Sequence, residues 1–170
     1  MSAPFDLNKV TKGLVQSEKA LYDNALLEGA RKLLQKNYKL LKKHEKELKY
    51  DLDYLLNDIS HIRDIDTMIS TQVHGYGNDY TKFYLDISST HYMKSIKIPS
   101  LFIHSLDDPV CIKEMIPIEE IRKNKNCILL LTQSGGHIEF LSGERKPSRW
   151  AFKAAFEYLT HQVKLNQNQN

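Results

Sequence analysis

The chain has 170 residues, of which 41% are hydrophobic and 26% charged, with a formal net charge of +3. That length fits one domain or a portion of one, and the composition excludes a collagenous, disulfide-knot or wholly disordered chain. The charge is too mild to argue for nucleic acid, and the interleaved aromatic and glycine pattern of the common nucleic-acid modules is missing, so no nucleic-acid partner is expected.

In chain order, helical periodicity comes first. From Leu14 to about Leu48 apolar residues recur at spacings of three and four, among them Leu14, Leu21, Leu27, Leu34, Leu41 and Leu48. Between them stand Lys19, Arg31, Lys32, Lys36, Lys39, Lys42, Lys43 and Lys46. The pattern predicts an amphipathic helix or helix pair with a basic outer face. More helix is expected over Leu52–Ile59, Asp64–Val73 and Asn78–Ile87.

The pattern switches at Pro99. Ser100–His104 is a short apolar run closed by Asp107, Asp108 and Pro109, and Cys127–Thr132 is a second, closed by Ser134, Gly135 and Gly136. Runs of this kind suit strands of a parallel sheet covered on both faces. Pro117–Lys123, with proline at its start and acids in its first turn, reads as the crossover helix between them. Arg149–Val163 reads as a last amphipathic helix, with Trp150, Phe152, Ala155, Phe156 and Leu159 as its buried side. The polar tail 164–170 is expected to be disordered. Two parallel strands do not make a stable sheet alone, and no other convincing strand precedes them, so the chain reads as the end of a sheet that begins elsewhere.

The loops after the two strands carry the chemistry-bearing residues. The first holds Asp107 and Asp108, the second Gly135, Gly136 and His137. Functional groups of open α/β sheets sit at the carboxyl ends of strands. A buried carboxylate on one imidazole nitrogen fixes the tautomer and leaves the other nitrogen to take a proton from a nucleophile. The glycines allow a sharp turn into His137. The other six histidines (His44, His61, His74, His91, His104 and His161) lack paired ligand spacing and read as surface or packed side chains. Cys111 and Cys127 read as small buried hydrophobes in a reducing compartment. Ser105 and Ser134 open the same two loops without a nucleophile's turn around them.

Asp108 followed by His137 resembles the last two members of the α/β-hydrolase triad, which runs Ser, Asp, His along the chain. Asp64–Tyr76, containing Thr67-Met68-Ile69-Ser70-Thr71-Gln72-Val73-His74-Gly75-Tyr76, resembles a segment of the embryogenesis-associated abhydrolase branch of esterases and lipases. Ile98-Pro99, Asp107-Asp108-Pro109, Ile116-Pro117 and Gly135-Gly136-His137-Ile138 follow in that branch's order, and Ala3-Pro4-Phe5-Asp6-Leu7 resembles the segment after its sixth strand. The resemblance implies an α/β fold, the C-terminal portion of an α/β-hydrolase. Residues 1–97 would form the helical cap, 98–163 the core segment with the acid and histidine loops, and 164–170 the tail. It implies carboxylic esters, namely acylglycerols, phospholipids or short- and medium-chain esters, as substrates, with no cofactor and no metal. Asp108 would be the orienting acid and His137 the general base, while Asp107 would shape the turn.

The departures are as informative. The elbow G-x-S-x-G occurs nowhere in the chain, so the nucleophile would lie outside it and the isolated chain would be inactive. Glu139 stands where the branch commonly has glycine, and a carboxylate beside the base would raise its pKa or narrow the site. The cap's lysines, Lys36, Lys39, Lys42 and Lys43, would form a solvated face or touch an anionic membrane surface peripherally. No secretory signal or membrane-length apolar run is present, so an intracellular place is expected. The alternative to an enzyme is a non-catalytic remnant or an interaction module working through the basic helices.

Overall fold

A computed structural model describes residues 1–15, 20–143 and 147–168. Lys19 of the expected basic face and residues 169–170 of the expected tail lie outside them. The chain divides into two compact units, Leu7–Ile87 and Met1–Asp6 with Ser88–Asn170.

The first unit is helical: α1 Leu7–Leu14, α2 Ala20–Lys36, α3 Tyr38–Leu48, α4 Leu52–Asn57, α5 Ile62–Ile65, a π-helical turn Asp66–Ser70, α6 Thr71–Val73 and α7 Tyr80–Ile87. The heptad-like spacing of Leu27 and Leu34 brings them onto one face of α2, where they pack with Tyr50, Leu52, Leu55 and Ile59. Asp51 starts α4 by accepting the Tyr54 amide at 2.9 Å, satisfying one of the helix's free donors. The basic face is partly neutralised from within. Lys42 lies 2.8 Å from both Glu45 and Asp53, and those bonds raise its pKa above the ordinary lysine value.

The second unit carries the sheet: β1 Ser100–Ser105, α8 Ile118–Lys123, β2 Cys127–Thr132, the two-residue strands β3 Leu141–Ser142 and β4 Ser148–Arg149, and α9 Trp150–Gln167. Strands β1 and β2 run parallel, in register from Ser100↔Cys127 to Ser105↔Thr132. The open edge of β1 is met by the start of the chain, where the Ser2 amide donates to the Ile103 carbonyl at 2.9 Å. Phe5, 1% exposed, then seats its ring against Phe102 and His104. On the other face Ile103, Phe140 and Ala151 form the core under α9.

Helix α9 differs from the sequence expectation. Its inward residues are Ala151 and Tyr158 together with the expected Trp150 and Ala155, whereas Phe152, Phe156, Leu159 and Val163 are 40%, 67%, 56% and 55% exposed. Those four repeat at spacings of four, three and four, so they form one continuous apolar stripe beside the buried face. The physical reason is width. A two-stranded sheet covers only a narrow strip of helix, and the small alanines take it. The same narrowness leaves Ile128 of β2 52% exposed, so this strand is not covered on both faces as its apolar run suggested. The tail differs too: α9 continues through Gln167, because Lys164–Gln167 contains no proline or glycine to stop it. Among the described residues no helix is long and apolar enough to cross a membrane.

Candidate active site

The Ser105↔Thr132 pairing ends the two strands side by side, so their following loops are neighbours. Two bonds tie those loops together before any chemistry is considered. The Leu106 amide donates to the Thr132 carbonyl at 2.9 Å, and the buried Ser105 hydroxyl donates to the Gly136 carbonyl at 2.7 Å. Ser105 is thereby a fastener and fully enclosed, whereas Ser134 lies exposed on the second loop.

The two adjacent acids divide the work. Asp107 accepts the backbone amides of Gly136 and Gly135 at 2.9 and 3.0 Å. These bonds, led by that from Gly136, hold its carboxyl below the usual carboxylate range. It shapes the histidine loop without touching the ring. Asp108, 3% exposed, turns inward. Its Oδ1 accepts the amides of Val110 and Cys111 at 2.9 and 2.8 Å, and its Oδ2 lies 2.9 Å from His137 Nδ1. A carboxylate held by two amides and facing a ring nitrogen places the proton on Nδ1. In the neutral ring Nε2 then carries the lone pair. The His137 side chain is 33% exposed, so the ring is held on its inner side and open on its outer side.

The approach to His137 depends on two glycines for different reasons. Gly136 has φ +63°, the left-handed region where a side chain is strained. A Cβ on Gly135 would stand 2.6 Å from Phe140 Cδ1, so the loop can lie this close to the Phe140 ring only without one. Glu139 turns away from the base: its two oxygens bind Arg149 at 2.8 and 2.9 Å, raising the guanidinium's pKa. The carboxylate that replaces the branch's glycine is therefore engaged with its own counter-ion.

Among the described residues one trio has metal-compatible atoms close together, Asp108, Cys111 and His137, within 4.8 Å. Its existing bonds argue against a ligand set. Burial, and then the charge of Asp108, push the Cys111 thiol up to about 12, and its sulfur meets the Ser2 carbonyl at 3.3 Å as a donor. Cys111 is buried as expected, while Cys127 is only partly covered.

Two arrangements had no sequence signal. His104, on the strand itself, is completely buried. Its Nε2 donates to the Ala3 carbonyl at 3.1 Å and its Nδ1 has no partner. His61, in the helical unit, meets Asp23 with Nδ1–Oδ2 2.7 Å. His74 stacks on Phe83 at 5.6 Å, a packing role.

The chain is 32% identical over 162 residues to an abhydrolase domain-containing protein of Dictyostelium discoideum, covering 94% of this chain and 39% of that protein. It is 30% identical over 141 residues to the embryogenesis-associated protein EMB8 of Picea glauca, covering 82% of this chain and 30% of that protein. Over 93 residues it is 38% identical to the human phospholipase ABHD3, covering 55% of this chain and 22% of that protein. No protein-family profile and no solved structure matches. The chain thus spans well under half the length of these relatives. With its parallel β1–α8–β2 unit and this set of relatives, the chain belongs to the α/β-hydrolase superfamily, as part of that fold.

Proposed function

We propose that the chain supplies the acid and base of a serine hydrolase of carboxylic esters, with the nucleophile contributed by a part of the fold outside it. The observation that carries this reading is the bond from His137 Nδ1 to the buried Asp108 carboxylate at the ends of neighbouring parallel strands. His137 Nε2 takes the proton as the serine oxygen attacks the ester carbonyl. It returns that proton to the departing alcohol, then activates the water that releases the acid. Asp108 keeps the ring in the required tautomer and stabilises its cation. The human relative is a phospholipase, which favours lipid esters as the substrate class. The uncovered α9 stripe supports the view that further chain completes the core. Leu7–Ile87 would serve as the cap, with Lys36, Lys39 and Lys43 as its peripheral contact with anionic lipid.

A hybrid tests this reading: the chain replaces the aligned segment of the Dictyostelium protein. The hybrid is expected to hydrolyse p-nitrophenyl esters and to react with a fluorophosphonate probe. His137→Ala should reduce hydrolysis to background while circular dichroism stays unchanged. Full hydrolysis by a folded His137→Ala hybrid would sink the proposal, as would probe labelling of the isolated chain at a defined residue. The absence of G-x-S-x-G from the sequence favours a second reading, a non-catalytic interaction module. That reading gains if the folded hybrid neither hydrolyses esters nor takes the probe.

A further inference from the structure

At the end of the strands opposite the Asp–His corner lies a hollow of about 270 Å³, bordered by Lys94, Lys97, Lys123 and Lys125, with Glu120 as the one acid on its wall. All four lysines are exposed, and among the described residues none is in an ion pair. Four like charges converging on one concavity with a single carboxylate repel each other and raise the local potential. That cost is relieved when an anion enters.

The floor of the hollow is rigid. Asn124 Nδ2 donates to the carbonyls of Met93 and Ile96 at 2.7 and 2.9 Å, and Asn126 Nδ2 donates to Ile96 at 3.1 Å. The Asn124 side-chain oxygen accepts the Asn126 amide at 3.0 Å. These bonds clamp the 93–97 segment to the loop before β2, so three chain segments hold the lysines: the Ser89–Ser95 turn with its exit, the end of α8, and the 124–126 loop. They also commit the asparagine donors to the frame, leaving the ammonium groups as the donors facing the hollow. Helix α8 ends here with its carbonyls, which disfavour an anion, so any anion held at this place is held by the lysines.

We propose that this hollow is a binding site for a phosphate group, on a small phosphorylated molecule or on a lipid headgroup. Lysine binds phosphate as a compact point charge, and several around one concavity suit a doubly charged group. The volume admits a headgroup and excludes a long acyl chain. The six residues of β1 separate the hollow from His137 by roughly 17 Å at about 3.3 Å per residue. The bound phosphate is therefore not at the reacting ester, and the site stands independently of the hydrolase reading.

Full-length chain is titrated with glycerol 3-phosphate while the backbone amide signals are followed, and is sedimented with phosphatidylcholine vesicles with and without phosphatidic acid. Saturable shifts at Lys125 and Asn126 are expected with the soluble ligand, or sedimentation that requires phosphatidic acid. The first result assigns a soluble phosphomonoester and the second a membrane headgroup. The variant Lys97→Gln/Lys123→Gln/Lys125→Gln should weaken either by about tenfold or more, with an unchanged circular dichroism spectrum, and added salt should weaken it further. A control that removes charge elsewhere, Lys113→Gln/Lys153→Gln/Lys164→Gln, should bind as the parent does. The proposal is overturned if neither ligand binds, if the first variant binds unchanged, or if the control loses as much as the first variant. Asp108→Asn should leave this binding intact.

Discussion

The molecule contains two Asp–His pairs of nearly the same geometry, one in each unit. In the helical unit Asp23 is 2% exposed and meets His61 Nδ1 at 2.7 Å, with the His61 side chain 34% exposed. In the sheet unit Asp108 is 3% exposed and meets His137 Nδ1 at 2.9 Å, with that side chain 33% exposed. Distance and burial do not separate them; the backbone around them does. Asp23 sits in the first turn of α2, and its second oxygen accepts the Ile62 amide at 3.2 Å, so the pair fastens one helix to the start of another. Asp64 completes that fastening by accepting the amides of His61 and Ser60. Asp108 and His137 instead stand on loops leaving neighbouring parallel strands, beside a double-glycine turn that a second acid holds in place. An oriented imidazole is common physical chemistry. A strand-end position with an open approach is what singles one out for catalysis.

The largest expected effect tests that distinction directly. In the hybrid enzyme Asp108→Asn should lower kcat/KM by about 10³–10⁴-fold, because an amide stabilises the wrong tautomer and no longer supports the cation. Asp23→Asn should leave kcat/KM within about threefold and instead lower the unfolding free energy by about 1–3 kcal/mol, because a buried fastening is impaired. Ester hydrolysis and urea unfolding measured on both variants give the comparison. If Asp23→Asn costs as much activity as Asp108→Asn, the strand-end argument fails.

Glycine replacements sharpen the same contrast at a smaller scale. Gly135→Ala should cost about 1–3 kcal/mol, since its Cβ would strike the Phe140 ring in a packed core. Gly136→Ala meets no atom within 4 Å, but forces a side chain to φ +63°, at about 1–2 kcal/mol. Gly29, inside α2 of the helical unit, meets nothing within 4 Å and has no such φ. Gly29→Ala should therefore stabilise by about 0.5–1 kcal/mol through helix propensity. Urea midpoints of the three variants check both the sign and the order. A stabilised Gly135→Ala protein would show that the loop does not pack against Phe140.

Sequence reading reached the sheet unit's framework because punctuation there is local. Pro99, the Asp107-Asp108-Pro109 turn and Ser134-Gly135-Gly136 bound two apolar runs, and a proline-started helix lies between them. Those signals fixed β1, α8 and β2 and put the Asp108 and His137 loops together. The buried face of α9 was legible only in Trp150 and Ala155. Phe152, Phe156 and Leu159 are more apolar than Ala151 and Ala155, and only the width of the sheet beneath decides which group it covers. The Asp23–His61 pair left no trace, because helix-to-helix fastening has no fixed spacing along a chain. Strands β3 and β4 have two residues each, too few for alternation to register. His104 sits within an apolar strand, where its type alone did not show that it would be enclosed.

That enclosure produces the smallest of the expected effects, and one confined to the sheet unit. Burial pushes the pKa of His104 below the ordinary imidazole value, against the opposing pull of its bond to Ala3 and the charge of Asp108; the N-terminal ammonium and His137 act in the same direction as burial. The folded chain therefore favours the neutral ring. Below the unfolded value of about 6.5 the unfolded chain binds a proton that the folded chain resists, so unfolding becomes easier. The stabilisation is complete above that pH and is lost as pH falls from it through the lower folded pKa. Replacing His104 by Phe keeps a ring against Phe5 and removes the titration. Urea unfolding of the hybrid and its His104→Phe form at pH 5 and pH 7.5 isolates this residue, because every other group is common to both proteins. The parent should lose more stability on acidification than the variant. Equal losses would mean that the His104 ring is not held neutral, whereas a variant less stable by the same amount at both pH values would report the lost bond to the Ala3 carbonyl alone.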